Sequence, residues 1–181
     1  MNRTITALPA GERDGIHLDG KPDDGFAWIP GSSLANGTIE IDIRGRDEYQ
    51  RSFVGVAFHG ADARTAEVVY LRPFNFGVSD STRRVHAIQY VALPSYDFGR
   101  LRAERSGEFE AAIAPAPKPT DWVHLKLVVA GQRVSAYVNG SEQPALSVSR
   151  LSPTTNGRVG LWVGNNSDGD FANLRIVSDA Q

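Results

Sequence analysis

Residues 122–140, WVHLKLVVAGQRVSAYVNG, decide the fold that we expect for this chain. Apolar side chains recur at every second position on both sides of an AGQ turn, first at Val123, Leu125, Leu127 and Val129 and then at Val134, Ala136 and Val138. A period of two places these side chains on one face of an extended chain, and the glycine allows the chain to reverse. The stretch therefore predicts a β-hairpin with one buried face.

The same alternation recurs along most of the sequence. In GTIEIDIRG, residues 37–45, three isoleucines alternate with polar residues, and similar runs are SFVGVAF, AEVVYLR, VHAIQYV, EFEAAI, RVGLWVG and FANLRIV. Helical spacing is nearly absent, so we expect no more helix than a turn or two in loops. Short strands separated by Gly, Pro, Asn and Asp are typical of an all-β, two-sheet antiparallel β-sandwich, and the length suits a single domain.

The composition excludes several classes of function. The chain has no cysteine, which rules out a disulfide framework and a thiolate metal site, and 19 Lys and Arg against 21 Asp and Glu leave a formal charge of −2. That balance gives no field for phosphate backbones, so we expect no nucleic acid partner. No apolar run approaches the roughly 20 residues of a membrane span. We expect a soluble protein, cytoplasmic as given, and periplasmic or secreted if a leader was removed.

Several blocks in order resemble a known superfamily. GTIEIDI, YLRPFNF, HAIQYVALPSYDFGRLR, the hairpin at 122–140 and GRVGLWVGNNSDGDFANLRI together are similar to the concanavalin A-like lectin and glucanase superfamily, whose fold is a jelly-roll sandwich. Within it the sequence most resembles the bacterial domain named for 3-keto-disaccharide hydrolase, and more distantly laminin G-like modules. The resemblance implies a sandwich at 26–177, an N-terminal segment packed on it at 1–25, and a tail at 178–181.

The resemblance also implies that a saccharide or glycoside would lie on one sheet. Because this scaffold carries lectins, hydrolases and structural modules, the sequence leaves open whether the chain is an enzyme. Three functions stay open: carbohydrate binding, elimination on a 3-keto-glycoside, and protein interaction as in laminin G-like modules. A homo-oligomer and an enzyme partner subunit also stay open.

One strand resembles the E-x-D-x-x-E catalytic strand of laminarinase-type glucanases. Glu40 and Asp42 match its first two acids, but Gly45 stands where the second glutamate would be. A retaining glycosidase needs two carboxylates about 5–5.5 Å apart, so the acid/base is missing. We interpret Glu40 and Asp42 as a solvated strand face.

An aromatic and amide set provides the candidate ligand site. Sugars present apolar CH faces and rings of hydroxyls, which aromatic platforms, amides and guanidinium groups recognise. The candidates are Arg72, Phe74, Asn75, Gln89, Tyr90, Trp162 and Asn165. Alternation with Leu161 and Val163 predicts that Trp162 points away from the core. The alternative is that Trp162 and Tyr90 pack beneath a loop.

Arginines are concentrated in one part of the chain. Between residues 72 and 105 there are six Arg against two Asp and one Glu, a local charge of +3 in an otherwise acidic chain. Because Arg forks bind carboxylates, an anionic sugar is one interpretation of this excess. A solvated face with scattered ion pairs is the other, and the sequence favours it.

Metal and catalytic candidates are few. NNSDGD at 165–170 could hold a structural calcium through Asp168 and Asp170, or form an Asx-rich turn, and no other cofactor is required. For the elimination hypothesis, a base must remove the acidic C2 proton of a 3-keto sugar and a donor must hold the enolate oxygen. His86, His124 and Asp97 are the candidate bases, and Arg72 is the candidate donor.

Overall fold

The computed structural model describes residues 2–179 and consists mainly of strands. The strands are β1 Ile5–Ala7, β2 Gly15–Leu18, β3 Gly25–Trp28, β4 Gly37–Arg44, β5 Val54–Gly60, β6 Ala66–Leu71, β7 Ile88–Leu93, β8 Glu110–Ala111, β9 Val123–Ala130, β10 Arg133–Val138, β11 Leu146–Ser149, β12 Arg158–Val163 and β13 Gly169–Ser178. They form a seven-stranded sheet in the order β1-β2-β13-β4-β9-β10-β11 and a six-stranded sheet in the order β3-β12-β5-β6-β7-β8. All strand pairs are antiparallel, so the predicted two-sheet sandwich is confirmed.

The helices are short and flank β7. A 3₁₀ turn spans Pro73–Asn75, α1 spans Ser81–Arg84 and α2 spans Phe98–Glu104. Asp80 accepts hydrogen bonds from the first backbone N–H groups of α1, and Asp97 accepts one from Arg100 N in α2. Such caps satisfy donors that a helix leaves unpaired at its start. Within residues 2–179, none of these helices has the length and apolar character needed to cross a membrane.

The core lies between the sheets and follows the alternation of the sequence. Ile39 and Ile41 of β4 pair with Leu127 and Leu125 of β9, and all four side chains are fully buried. The hairpin predicted from residues 122–140 is present as β9 and β10, whose pairing begins at Ala130 and Arg133. Burial of one such aliphatic side chain contributes about 1.5–3 kcal/mol, so this face supplies much of the stability.

The six-stranded sheet departs from simple alternation. Every residue of β5 and β6 is buried, although their side chains point alternately to the core and away from it. Both faces of this sheet are therefore covered, one by the other sheet and one by side chains and loops. The covered outer face is where we find the candidate site.

The two ends of the chain join the seven-stranded sheet. The N-terminal segment that we predicted to pack on the domain forms β1 and β2, and β2 pairs with β13. β13 extends to Ser178, the first residue of the predicted tail. Residue 1 and residues 180–181 lie outside the described part of the chain.

A cluster of polar side chains lies buried between the sheets. We call Glu67, His59, Tyr90 and Arg150 the inter-sheet cluster. Arg150 donates to Glu67 through Nε at 3.0 and 3.1 Å and through Nη2 at 2.6 Å, Tyr90 donates its hydroxyl at 2.5 Å, and His59 Nδ1 lies 2.8 Å away. Although burial would raise the pKa of Glu67, the hydrogen bonds from His59, Arg150 and Tyr90 hold it below its usual value. The cluster thus joins β6 and β7 to the segment that follows β11.

Candidate functional site

The outer face of the six-stranded sheet forms the floor of a groove of about 1360 Å³. Directly paired residues share a face, and one such row crosses the sheet through Phe26, Trp162, Gly55, Tyr70 and Gln89. A side chain at Gly55 would collide with Tyr70, so the glycine allows the rings of Tyr70 and Trp162 to approach to 4.9 Å across it. The floor of the groove is therefore aromatic.

Further aromatic rings line the walls and the rim. Phe26 stacks on Trp28 with centroids 5.1 Å apart, and Phe74 meets both Phe53 and Tyr49 edge to face. Tyr49 and Phe98 both line the groove and are 60% and 56% exposed. Exposed apolar side chains beside a groove are typical of a ligand-binding site.

The indole of Trp162 lies beside the carboxyl of Asp24. Trp162 is only 5% exposed, and its Nε1 makes no aligned hydrogen bond with any residue from 2 to 179. Asp24, at the accessible edge of the same groove, is close enough for the indole to influence its carboxyl. Crowding desolvates Asp24 and raises its pKa, against the opposing charge of Arg3. Because Nε1 itself is enclosed, the indole N–H contributes to the floor beside Asp24 and is not presented to a ligand.

A second polar cluster lies at the β6–β8 side of the groove. We call Glu110, His86, Arg72 and Arg102 the groove cluster. Oε2 of Glu110 lies 2.6 Å from His86 Nδ1, 3.1 Å from Arg102 Nη2 and 3.7 Å from Arg72 Nη1. The His86 contact has the distance of an ion pair but not the alignment of a straight hydrogen bond. Glu110 is buried, whereas the side chain of Arg102 is 41% exposed, so the cluster opens into the groove.

Arg72 is tied into the floor of the groove. It donates to the Tyr70 hydroxyl at 2.7 Å, to the carbonyl of His86 at 3.0 Å and to Gln89. Burial lowers the pKa of Arg72 and raises that of Tyr70 to about 12. The donors of Arg72 that contact Tyr70, Gln89 and the His86 carbonyl are therefore engaged within the floor of the groove.

The structure brings most of the predicted ligand residues together. Arg72, Phe74, Asn75, Trp162 and Asn165 line the groove. Gln89 lies in the same cross-sheet row and bonds to Tyr70 and Arg72 beneath it. Trp162 points away from the core as expected, but it is packed among neighbouring rings, so its ring is not an open platform.

Tyr90 does not belong to this site. Its ring is 0% exposed and its hydroxyl donates to Glu67 in the inter-sheet cluster. Tyr90 follows Gln89 in β7, and successive strand residues point to opposite faces. The prediction that both residues face the ligand was wrong for Tyr90, which packs inside instead.

The candidate bases separate between the two sheets. His86 and Asp97 line the groove, and Asp97 also caps α2. His124 lies on the seven-stranded sheet, where its Nδ1 is 2.8 Å from Asp42. Because His124 faces away from the groove, it cannot act on a ligand there.

The two acids of β4 are not a uniformly solvated face. Glu40 is partly exposed, but Asp42 is 7% exposed beneath Arg13, His124 and Asn173. Although burial alone would raise the pKa of Asp42, the hydrogen bonds from Asn173 and His124 and the charge of Arg13 hold it below the usual value. Asp42 is therefore a paired structural acid, which corrects the sequence interpretation.

The predicted calcium ligands already have cationic partners. Asp170 Oδ1 lies 2.7 Å from His17 Nδ1 and its Oδ2 accepts a hydrogen bond from Arg44 Nε at 2.8 Å, while Asp168 pairs with Arg46. Throughout residues 2–179, no group of three or more His, Cys, Asp or Glu side chains is arranged to hold a metal ion.

Sequence reasoning missed the rim of the groove. Tyr49 and Phe98 lie outside every alternating run, in EYQ and YDFGR. The available signal was an aromatic residue within a polar, turn-rich segment, where no core requires it. Trp28 and Glu110 were also not selected as ligand residues, because the pairing of β3 and β8 with the rest of the sheet cannot be read from sequence. Arg102 was not selected either, because it lies on α2, whose position over the sheet depends on tertiary packing.

No family model and no curated protein matches the sequence. Solved structures do match. The carbohydrate-binding module CBM66 from Bacillus subtilis is 18% identical, with a TM-score of 0.65, 98% of this chain and 92% of that chain covered. A protein of unknown function with a galectin-like fold, also from Bacillus subtilis, is 11% identical with a TM-score of 0.62, covering 98% and 89%.

A third similar structure is the exoplasmic/lumenal domain of VIP36 in a form bound to Ca²⁺ and Man3GlcNAc. It is 12% identical, with a TM-score of 0.62 and coverage of 99% of this chain and 85% of that one. Together these neighbours confirm the concanavalin A-like sandwich fold. They do not single out the 3-keto-disaccharide hydrolase-like domain.

Proposed function

We propose that this protein binds a saccharide in the groove on its six-stranded sheet. The observation that carries the proposal is one groove that combines an aromatic floor, two exposed aromatic residues at the rim and the side-chain amides of Asn75 and Asn165. Sugar rings stack their CH faces on aromatic side chains and supply hydroxyl acceptors for N–H donors. The groove offers both to the same ligand.

The solved neighbours support this reading through what their names state. CBM66 is described as a carbohydrate-binding module, and the VIP36 domain was solved with Man3GlcNAc. Their likeness to this chain lies in the fold, so the groove itself must support the function.

The rim aromatics provide a clean experimental test. Tyr49→Ala and Phe98→Ala remove exposed rings, so each should weaken saccharide binding by about 1–2 kcal/mol, roughly 5- to 30-fold, with little loss of stability. Isothermal titration with ligands first found on a glycan array would measure this effect. Tyr137→Ala is the matched control, because Tyr137 is a half-buried aromatic residue on the other sheet.

Two results would count against saccharide binding. One is a broad array without any bound glycan, and the other is unchanged affinity in both rim variants. A protein ligand in the groove, as a laminin G-like module would have, is the outcome if a partner chain binds the wild type and the rim variants release it.

A second candidate function is elimination on a 3-keto-glycoside, favoured by the contact between His86 and Glu110. Glu110 lies against Nδ1 of His86, which leaves Nε2 as the nitrogen that can accept the C2 proton. The electrons of the broken C–H bond would form an enolate, and the glycosidic oxygen would then leave C1 with its bonding pair and take up a proton. Arg102 is better placed than Arg72 to hold the enolate oxygen, because Arg72 has its donors engaged on the floor.

Incubation with a 3-keto-glucoside tests this candidate. Turnover in the wild type that is lost in His86→Ala, but kept in His124→Ala, would support the base assigned here. Wild-type protein that leaves the 3-keto-glucoside intact would exclude it.

Calcium at Asp168 and Asp170 fits these residues poorly. Arg44, Arg46 and His17 surround the two carboxylates, and a Ca²⁺ ion would have to displace these cations to reach the six to eight oxygen ligands that it prefers. We therefore assign this cluster a structural role between β4 and the start of β13.

A further inference from the structure

The groove has a charge opposite to that of the whole chain. Its lining holds five arginines, Arg64, Arg72, Arg83, Arg102 and Arg158, against Asp23, Asp24 and Asp97, and Glu110 of the groove cluster adds a fourth acid. The complete chain has a formal charge of −2. A cleft with a local positive excess in an acidic protein concentrates anionic ligands rather than neutral ones.

Charged residues line both sides of the groove, and the guanidinium of Arg158 lies 4.6 Å from the ring centroid of Trp28 on β3. Asp23 and Asp24 directly precede β3, the strand at one edge of the sheet. The groove cluster lies at the other side, on β6, β8 and the helices that flank β7. The Trp162 and Tyr70 rings lie between the two. The side with the groove cluster, which we call the basic side, holds Arg72, Arg83 and Arg102 against Asp97 and Glu110 and so keeps a formal charge of +1.

Two arginines on the basic side retain unused donors. Arg83 donates Nε to Asn75 and Nη2 to the Phe74 carbonyl, and its Nη1 makes no hydrogen bond to a described residue. Arg102 uses only Nη2, toward Glu110. Between residues 2 and 179 no carboxylate lies within 4 Å of the Arg83 guanidinium, and Glu110 is shared with Arg72 and His86.

Each of these arginines also lies over an exposed rim ring. The guanidinium of Arg83 is 4.6 Å from the centroid of Tyr49, and that of Arg102 is 6.0 Å from the centroid of Phe98. A sugar that stacks on either ring would place its substituents beside a planar fork of N–H donors. Such forks bind carboxylate and sulfate oxygens in pairs.

We propose that the groove selects saccharides that carry an anionic group, a carboxylate or a sulfate, and that Arg83 and Arg102 recognise that group. This inference rests on the proposed saccharide function and adds the chemical class of the ligand. The rings would hold the sugar, and the two arginines would distinguish a charged unit from a neutral one.

A glycan array with matched triplets tests the selection. Each triplet contains a neutral oligosaccharide, the same backbone with uronic acid units, and the same backbone with sulfate groups. We expect the anionic members that bind to do so about tenfold more tightly than their neutral counterparts. The uronate and sulfate arms show which anion the arginines accept.

Matched double variants then assign the selection to named residues. Arg83→Gln with Arg102→Gln should remove the anionic preference, because the affinity for the anionic members should fall about tenfold, to that of the neutral members. Arg84→Gln with Arg100→Gln makes the same change of charge on the same two helices, but neither residue lines the groove. That control should keep the preference.

The outcomes separate this inference from the proposed function. Equal affinity for neutral and anionic members would overturn the selection and leave saccharide binding standing. Equal loss in the two double variants, or loss of neutral and anionic binding together in Arg83→Gln with Arg102→Gln, would also overturn it. An array without any bound member would overturn both.

Discussion

The inter-sheet cluster and the groove cluster are built from nearly the same residue types. Each surrounds a buried glutamate with a histidine and arginine. A tyrosine hydroxyl contacts each cluster, since Tyr90 donates to Glu67 and Tyr70 accepts from Arg72 beside Glu110. Both lie on the six-stranded sheet. They differ in which face of that sheet they occupy.

The face of the sheet determines how completely the side chains of each cluster are hydrogen-bonded and enclosed. Around Glu67, Arg150 is also buried and reaches the carbonyls of Gly131 and Thr154, so the inter-sheet cluster is closed. Around Glu110, the side chains of Arg102 and His86 are 41% and 22% exposed. The same chemistry therefore links structural elements when it is enclosed, and under the proposed function it would face a ligand when one side is open.

The largest expected effect is a loss of stability when the inter-sheet cluster is broken. Glu67→Gln keeps the size of the side chain but removes the only carboxylate that contacts Arg150 within residues 2–179. An uncompensated buried charge costs about 3–5 kcal/mol, so the free energy of unfolding should fall by that amount in urea denaturation. Saccharide affinity of the folded variant should remain at the wild-type level. A loss of less than about 1 kcal/mol would show that the cluster relaxes easily.

A smaller loss of stability is expected when the groove cluster is broken. In Glu110→Gln, Arg102 and His86 can turn toward water, and mainly Arg72 loses a nearby charge, so we expect a loss of about 1–2 kcal/mol in the same urea experiment. Binding should change as well, because Glu110 positions Arg102 and His86 at the groove. If Glu110→Gln destabilises the protein as much as Glu67→Gln does, the groove cluster is mainly structural.

The sequence predicted the sandwich because alternation is a local property. The buried face of a strand can be assigned from its own sequence, without knowing which strands it pairs with, as for Ile39, Ile41, Leu125 and Leu127. Alternation also placed Trp162 on the outer face correctly. It could not show that the outer face of this sheet is itself covered, which makes Trp162 a buried floor residue.

The site could be predicted only in part. Gln89 and Tyr90 are consecutive in β7, so at most one of them could face the groove, and the sequence does not say which strand side is outward when every residue of β7 except Leu93 is buried. Tyr49 and Phe98 come from segments outside the strands, where no period applies. Their approach to the groove depends on tertiary packing.

The smallest expected effect is the pH dependence of the stability that the inter-sheet cluster contributes. Hydrogen bonds from His59, Arg150 and Tyr90 hold the pKa of Glu67 below its usual value of 4.5. A carboxylate with a lowered pKa in the folded state stabilises the protein fully above its unfolded pKa, and this contribution is lost as the pH falls through the folded pKa. The difference in unfolding free energy between wild type and Glu67→Gln should therefore be constant near neutral pH. It should begin to narrow below about pH 4.5, which urea denaturation at a series of pH values would measure. A difference that stays constant to about pH 3 would mean that Glu67 binds protons equally in the folded and unfolded protein, and would contradict a pKa of Glu67 lowered by the inter-sheet cluster.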